Sequence, residues 1–181
     1  MYAKSQTTQN LALFDFDGTL CNKDSFTGFI FYALSKRHIV KQGIKILPWI
    51  QAYYLSIYPA DAMRPKLFKA MFAEQSATEI LELALEYSHH LRNSLDAKMY
   101  KQLLKHQQNG DHIVIVSASV DIYLKDIAEL LEVDLICTEA EISNNQFTGL
   151  YATPDCSNIQ KKTRILEKYE LSLYDLVYAY G

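Results

Sequence analysis

Asp15 and Asp17 stand two residues apart in the stretch Phe14-Asp15-Phe16-Asp17-Gly18-Thr19-Leu20. They follow Leu11-Ala12-Leu13-Phe14, an apolar run with the length of a short buried strand. Positions i and i+2 share one face of a strand, so two carboxylates at this spacing crowd and repel each other. A fold tolerates such a pair when a cation neutralises it or when one acid is kept protonated for proton transfer. Gly18 frees the backbone to turn directly after the pair. A plain Asx-rich turn is the alternative, and it leaves the repulsion unanswered.

Two further groups suit the same chemistry. Ser117-Ala118-Ser119 follows the β-branched run Ile113-Val114-Ile115-Val116, which reads as a fully buried parallel strand. A hydroxyl and small-residue amides would face its mouth; the alternative is a strand-to-helix turn in which Ser119 caps the next helix. Lys161 and Lys162 open a helix that follows Asp155-Cys156-Ser157. A lysine in the first turn opposes the helix dipole, a placement that makes sense if the lysine and the free amides share an anion.

Behind these residues lies an alternation of strands and helices. After Asp24, a candidate N-cap, Phe26, Phe29, Ile30, Ala33 and Leu34 recur at helical spacing, and Lys36, Arg37 and His38 are expected to close that helix. Further helices are expected over 39–58 with Pro48 inside, 62–72, from Thr78 and Glu82 onward, and 95–108 ending at Asn109-Gly110. Val120 to Leu131 is amphipathic, Asp134 to Cys137 a short strand, and Glu141 to Tyr151 a hairpin turning at Asn144-Asn145. Ser157 to Tyr169 reads as a helix and Leu176 to Tyr180 as a last buried strand. This order predicts an α/β fold, a Rossmann-like parallel sheet. The helical stretch between the first strand and Ile113 is too long for one crossover and predicts an inserted all-helical subdomain.

The string DFDGTL resembles the first motif, DxDGT, of the haloacid dehalogenase (HAD) superfamily of phosphatases and phosphotransferases. The resemblance implies a core over 1–21 and 95–181 and a helical cap over 22–94. It makes Asp15 the nucleophile and Asp17 the general acid and base, with Asp15 and the Asp17 carbonyl as ligands of Mg²⁺. Ser117, Ala118, Lys161, Gly18 and Thr19 become the phosphate-binding set. Cys156, Asn158, Lys161 and Ile165 follow a CxGxxKxxxL-like third motif, with Asn and Ile in place of Gly and Leu, which favours Lys161 over Lys162. The fourth motif, GDxxxD, is met only as far as Gly181, where the sequence ends; the expectation is a truncated C-terminal part. The layout resembles the phosphoserine phosphatase-like subfamily IB, nearest to phosphatidylglycerophosphatase C relatives. The implied activity is Mg²⁺-dependent hydrolysis of a phosphomonoester, a small phosphorylated metabolite or a phospholipid, through an aspartyl-phosphate. A catalytically silent phosphate- or partner-binding protein is the reading from another class.

Composition narrows the rest. Of 181 residues 49% are hydrophobic and 22% charged, a globular balance, and the net charge of -3 argues against a nucleic-acid partner. Cys21, Cys137 and Cys156 are scattered and suit a reducing cytoplasm. His89 and His90 are adjacent, diverge on a helix and read as solvated. Met1 to Asn10 is polar and lacks a signal peptide's apolar core. The stretch 44–58 carries the single Trp with Tyr53, Tyr54 and Tyr58; a buried helix pair is expected there, and contact with the inner face of a membrane is the alternative. An amino-acid phosphate would need facing charges, for which Arg37, Arg64 and Asp24 are available.

Overall fold

The computed structural model describes residues 9–181. Met1 to Thr8, most of the polar N-terminal stretch, lie outside the described residues. Strand β1 (Leu11–Phe14) sits inside a four-stranded parallel sheet of order β3-β2-β1-β6, with β2 at His112–Val120, β3 at Asp134–Thr138 and β6 at Val177–Tyr180. Alternation in β1 and β2 sends side chains to two faces. Ala12, Phe14, Ile113 and Ile115 meet α5 (Ala97–Gln108) and α6 (Asp121–Leu130) on one face. Leu11, Leu13, Val114 and Val116 meet Ile165 of α7 (Ile159–Lys168) and Tyr169 on the other. The result is a three-layer Rossmann-like α/β fold, as the alternation predicts.

Four helices, α1 (Ser25–Ala33), α2 (Lys36–Tyr54), α3 (Ala60–Phe72) and α4 (Ala77–Arg92), separate β1 from α5. The core runs unbroken from the sheet into them through an aromatic cluster. Phe72 stacks on Phe29 at 5.7 Å and on Phe68 at 5.3 Å, and Phe29 reaches Tyr123 of α6 at 5.1 Å. The antiparallel hairpin of β4 (Ala140–Ser143) and β5 (Gln146–Tyr151) turns at Asn144 and Asn145, both with positive φ, as the paired asparagines predict. Its far side hydrogen-bonds to the linker between α3 and α4, through Glu74 N to Phe147 O and Phe147 N to Gln75 O. The helical segment is thus fastened to the hairpin as well as to α6.

Several local expectations are corrected. Lys36, Arg37 and His38 open α2 and do not close α1: Leu34 is extended, and the Ser35 hydroxyl accepts the His38 amide as an N-cap. Ser76, two residues before Thr78, is the N-cap of α4. Strand β2 runs through Ser117 to Val120, with a register irregularity after Val116 that interrupts its pairing with β3. The 44–58 stretch is not a buried pair; α2 packs on α3 but buries only Ile46 and leaves Val40, Ile44 and Leu47 exposed at helical spacing. His89 and His90 are exposed, as read.

Below the sheet a buried polar chain ties β1, α5, β2 and β6. Asn10 donates to Asp111 at 2.9 Å, His106 Nδ1 lies 2.7 Å from Asp111, and His106 Nε2 lies 2.9 Å from the Tyr180 hydroxyl. Burial works to raise the Asp111 pKa, but the bonds from His106 and Asn10 outweigh it and hold it below the usual value. The folded state then binds fewer protons than the unfolded one just below pH ~4. The stability this group contributes is present above the unfolded pKa and lost as pH falls through the folded one. Denaturant midpoints at pH 6 and pH 3 are expected to fall further for the wild type than for Asp111→Asn; equal falls would remove Asp111 as a source.

Candidate active site at the carboxyl edge of the sheet

In open parallel sheets the ligand crevice lies beyond the carboxyl ends of the strands. Here β1 and β2 are neighbours, with Phe14 opposite Ile115, so the residues that follow each strand converge. Asp15, Asp17, Ser117, Ala118, Ser119 and Lys161 all line one cavity of about 700 Å³. Lys162 is exposed on the outside of α7.

Asp15 is fixed by its backbone and by one of its oxygens. Its amide donates to Tyr180 O of β6 at 2.9 Å. Its Oδ1 accepts the Phe16 amide at 2.8 Å and lies 2.8 Å from Lys161 Nζ. Its Oδ2 accepts no hydrogen bond among the described residues.

Asp17 is held differently. Oδ1 accepts the amide of Ser25, the first residue of α1, at 2.7 Å, and Oδ2 accepts the Ser119 hydroxyl at 2.5 Å. Burial raises the Asp17 pKa despite these bonds from Ser119 and Ser25. A buried hydroxyl network backs it: Ser25 Oγ lies 2.9 Å from the Tyr123 hydroxyl, and the Tyr87 hydroxyl donates to Ser25 O at 2.9 Å. The acid beside β1 is therefore gripped by the first helix of the helical segment and by the end of β2.

Ser117 is buried, and its Oγ accepts the Ser119 amide at 3.1 Å. Ala118 O accepts the Thr138 hydroxyl at 2.8 Å, and Thr138 Oγ1 in turn accepts the Cys156 amide at 2.9 Å. This buried threonine welds β2, β3 and the approach to α7 into one rim. Gly18 and Thr19 are not brought into the cavity. They line a separate depression with Asn22 and Asp96, because the turn closes on itself: Gly18 N donates to Cys21 O at 2.7 Å and Thr19 N to Phe16 O at 3.2 Å.

Sequence reasoning placed Ser119 as a possible helix cap, whereas α6 has no side-chain cap and the Ser119 hydroxyl goes to Asp17. Its spacing from Ser117 was the usable signal, since i and i+2 share a strand face. Ser25, Tyr123 and Thr138 carried no local signal. The rest of the cavity wall is mostly apolar, with Phe26, Ile30, Met63, Leu67 and Met71; Asp24 and Thr27 also line it, and Arg64 is the basic residue of the helical segment that does so.

The donor set fits a hard divalent cation. Both Asp17 carboxylate oxygens already accept hydrogen bonds, while the Asp17 carbonyl accepts none among the described residues. A cation would therefore be held by the Asp15 carboxylate and the Asp17 carbonyl, an all-oxygen pair of the kind Mg²⁺ completes with water and substrate oxygens. Among the described residues no cluster of three or more His, Cys, Asp or Glu side chains stands anywhere, this cavity included, so the remaining ligands would be water and substrate oxygens.

Comparison with known proteins bears on the fold and the family. No curated protein matches the sequence significantly. Among solved structures, a protein with unknown function from Bordetella pertussis Tohama I has 21% identity and a TM-score of 0.73 over 96% of this chain and 82% of its own. A HAD family hydrolase from Salmonella enterica serovar Typhi has 14% identity and a TM-score of 0.68 over 98% of this chain and 58% of its own. A probable phosphoserine phosphatase from Vibrio cholerae has 13% identity and a TM-score of 0.67 over 96% of this chain and 50% of its own. At these identities the likeness carries the fold. The model of the haloacid dehalogenase-like hydrolases matches residues 12–181, and the chain belongs to that family.

Proposed function

We propose that this chain is a Mg²⁺-assisted phosphomonoester hydrolase of the phosphoserine phosphatase-like subfamily, with α1 to α4 as a cap over the site and Asp15 as nucleophile. The observation that carries the reading is the single cavity in which Asp15, with Lys161 Nζ at 2.8 Å, faces Ser117, Ala118 and the buried Asp17. Bound Mg²⁺ would offset the repulsion between the phosphate dianion and the Asp15 carboxylate. An Asp15 oxygen attacks phosphorus in line, and the bond from phosphorus to the leaving oxygen breaks. Asp17, whose burial favours its protonated form, gives its proton to that leaving alkoxide. The resulting Asp17 carboxylate then takes a proton from water, and the hydroxide formed displaces Asp15 from the aspartyl-phosphate to release inorganic phosphate. Lys161, Ser117 and the Ala118 amide oppose the charge on the equatorial oxygens.

One observation favours a lipid phosphate as substrate. The apolar cavity opens onto an exposed apolar rim: Phe31, Tyr53 and Tyr54 line the cavity and are 66%, 41% and 80% exposed. Leu55, Ile57 and the Val40, Ile44 and Leu47 face extend that rim. From Ser25 to Ala60 the sequence holds Lys36, Arg37, Lys41 and Lys45 and no acidic residue, although the whole chain is net negative. Exposed aromatic and basic residues on one helix suit an anionic bilayer surface. Among the described residues no helix is long and apolar enough to cross a membrane, so the contact would be peripheral to it. For an amino-acid phosphate, Asp24 lines the cavity and would face the amine, but Arg64, the basic residue there for the carboxylate, is engaged by Asp155.

Release of phosphate from an aryl phosphate with and without Mg²⁺ tests the reaction; no Mg²⁺-dependent release would favour the silent phosphate-binding reading. Sedimentation with vesicles containing phosphatidylglycerol tests the surface, and Trp49, the single tryptophan, provides a fluorescence signal. Binding is expected to anionic and not to purely zwitterionic vesicles. Lys41→Glu with Lys45→Glu is expected to weaken it more than about ten-fold, at roughly 1 kcal/mol per basic residue near the surface. Equal binding to both vesicle types, or none, would return the substrate to the soluble class.

A further inference from the structure

Lys161 is only as well placed as the loop that delivers it. That loop, 152–158, is anchored from the sheet side by Glu139 N to Thr153 Oγ1 at 3.0 Å and by Cys156 N to Thr138 Oγ1 at 2.9 Å. Ala152 N adds a bond to Glu139 O at 2.8 Å, and a fourth anchor comes from the helical segment. Arg64 of α3 donates from both arms of its guanidinium to Asp155, Nε to Oδ2 at 2.8 Å and the terminal nitrogen to Oδ1 at 2.7 Å. The pair is largely shielded, with the Arg64 side chain 25% and the Asp155 side chain 10% exposed. Two residues after Cys156, Asn158 is held at φ 47°, a conformation rare outside glycine, directly before α7 begins. Such a backbone persists where surrounding contacts enforce it.

From this geometry we infer that the Arg64–Asp155 fork is a latch: it fastens α3 to the 152–158 loop and so holds Lys161, in the first turn of α7, against Asp15. Arg64 and Asp155 are positioning residues, and the latch deepens the proposed phosphatase reading. A fork geometry is needed because two parallel hydrogen bonds fix direction as well as distance.

The test uses Arg64→Gln, Asp155→Asn, the double variant and the milder Arg64→Lys, with two readouts. Hydrogen exchange of the amides in 153–162 is expected to rise about ten-fold in both single variants and no further in the double. For an aryl phosphate, kcat is expected to fall about 10- to 100-fold, the scale of a misplaced catalytic group, with KM changed far less. The double variant is expected to match either single one, and Arg64→Lys to fall between Arg64→Gln and wild type. Unchanged exchange in 153–162 for Arg64→Gln would overturn the latch, whatever the activity. So would a double variant whose loss is the product of the singles, or an Asp155→Asn protein of normal kcat beside a defective Arg64→Gln, which would make Arg64 a substrate ligand. A wild type that releases no phosphate would sink the phosphatase reading and leave the exchange test standing.

Discussion

Asp15→Asn is expected to lower kcat for an aryl phosphate by roughly four to six orders of magnitude, the scale on which removal of a covalent nucleophile acts. The amide is nearly isosteric, so the fold has little reason to fail. Asp15 makes its main-chain bond to Tyr180 with its own amide, and that bond survives the substitution. What is lost is chemical: an amide oxygen is a far weaker nucleophile than a carboxylate and leaves no negative charge for a divalent cation or for Lys161. Thermal melts of variant and wild type separate the two effects. A nearly unchanged melting temperature is expected, because the ion pair with Lys161 that the variant removes is partly exposed, and such pairs contribute about 0–1 kcal/mol. Trapping with acid after brief exposure to substrate adds a direct reading: phosphate bound covalently to the wild type and absent from Asp15→Asn. An Asp15→Asn protein that retained a tenth of wild-type turnover would refute the assignment, and the proposed function with it.

The parts of this site that were legible in the sequence are those whose signal is local. An apolar tetrapeptide followed by two acids and a glycine announces a strand end with unneutralised charge, and β1 ends at Phe14 as that pattern requires. The Asn144-Asn145 turn is legible because few residues accept positive φ twice in succession. Lys161 was legible through the cost of a cation in the first turn of a helix, and its distance to Asp15 answers that cost. The same electrostatic argument misled at Lys36 to His38. There the Ser35 cap outweighs an exposed charge of the wrong sign, since a capping hydrogen bond is worth about 1 kcal/mol and a surface dipole contact about half that. Contacts over long sequence separation left no trace. Ser119 reaches Asp17 across 102 positions and Arg64 reaches Asp155 across 91, and neither partner announces the other. The exposed face of α2 falls in a stretch whose composition suggested a buried helix pair, because apolar content alone does not say whether protein, lipid or water covers a face.

Lys161→Met and Lys162→Met are adjacent substitutions with expected effects two orders of magnitude apart. Lys161→Met removes the cation 2.8 Å from Asp15 and is expected to lower kcat about 10²- to 10³-fold, as loss of one preorganised partner of a developing charge does. Lys162 is exposed and absent from the cavity wall, so Lys162→Met is expected to stay within about two-fold of wild type, the usual span of a surface change. Methionine keeps the apolar stem of the side chain, so packing along α7 is nearly conserved. The contrast also bears on how the phosphate is held. A lysine needed only for screening Asp15 could be replaced in part by raising Mg²⁺, which would restore kcat at millimolar metal. A lysine that grips the transferring phosphoryl group offers no such substitute, and the defect would persist at every Mg²⁺ concentration. The cavity favours the second outcome, because Lys161 lines it together with Ser117 and Ala118, on the side where the equatorial oxygens would lie. Equal losses for the two variants would place the anion outside this cavity.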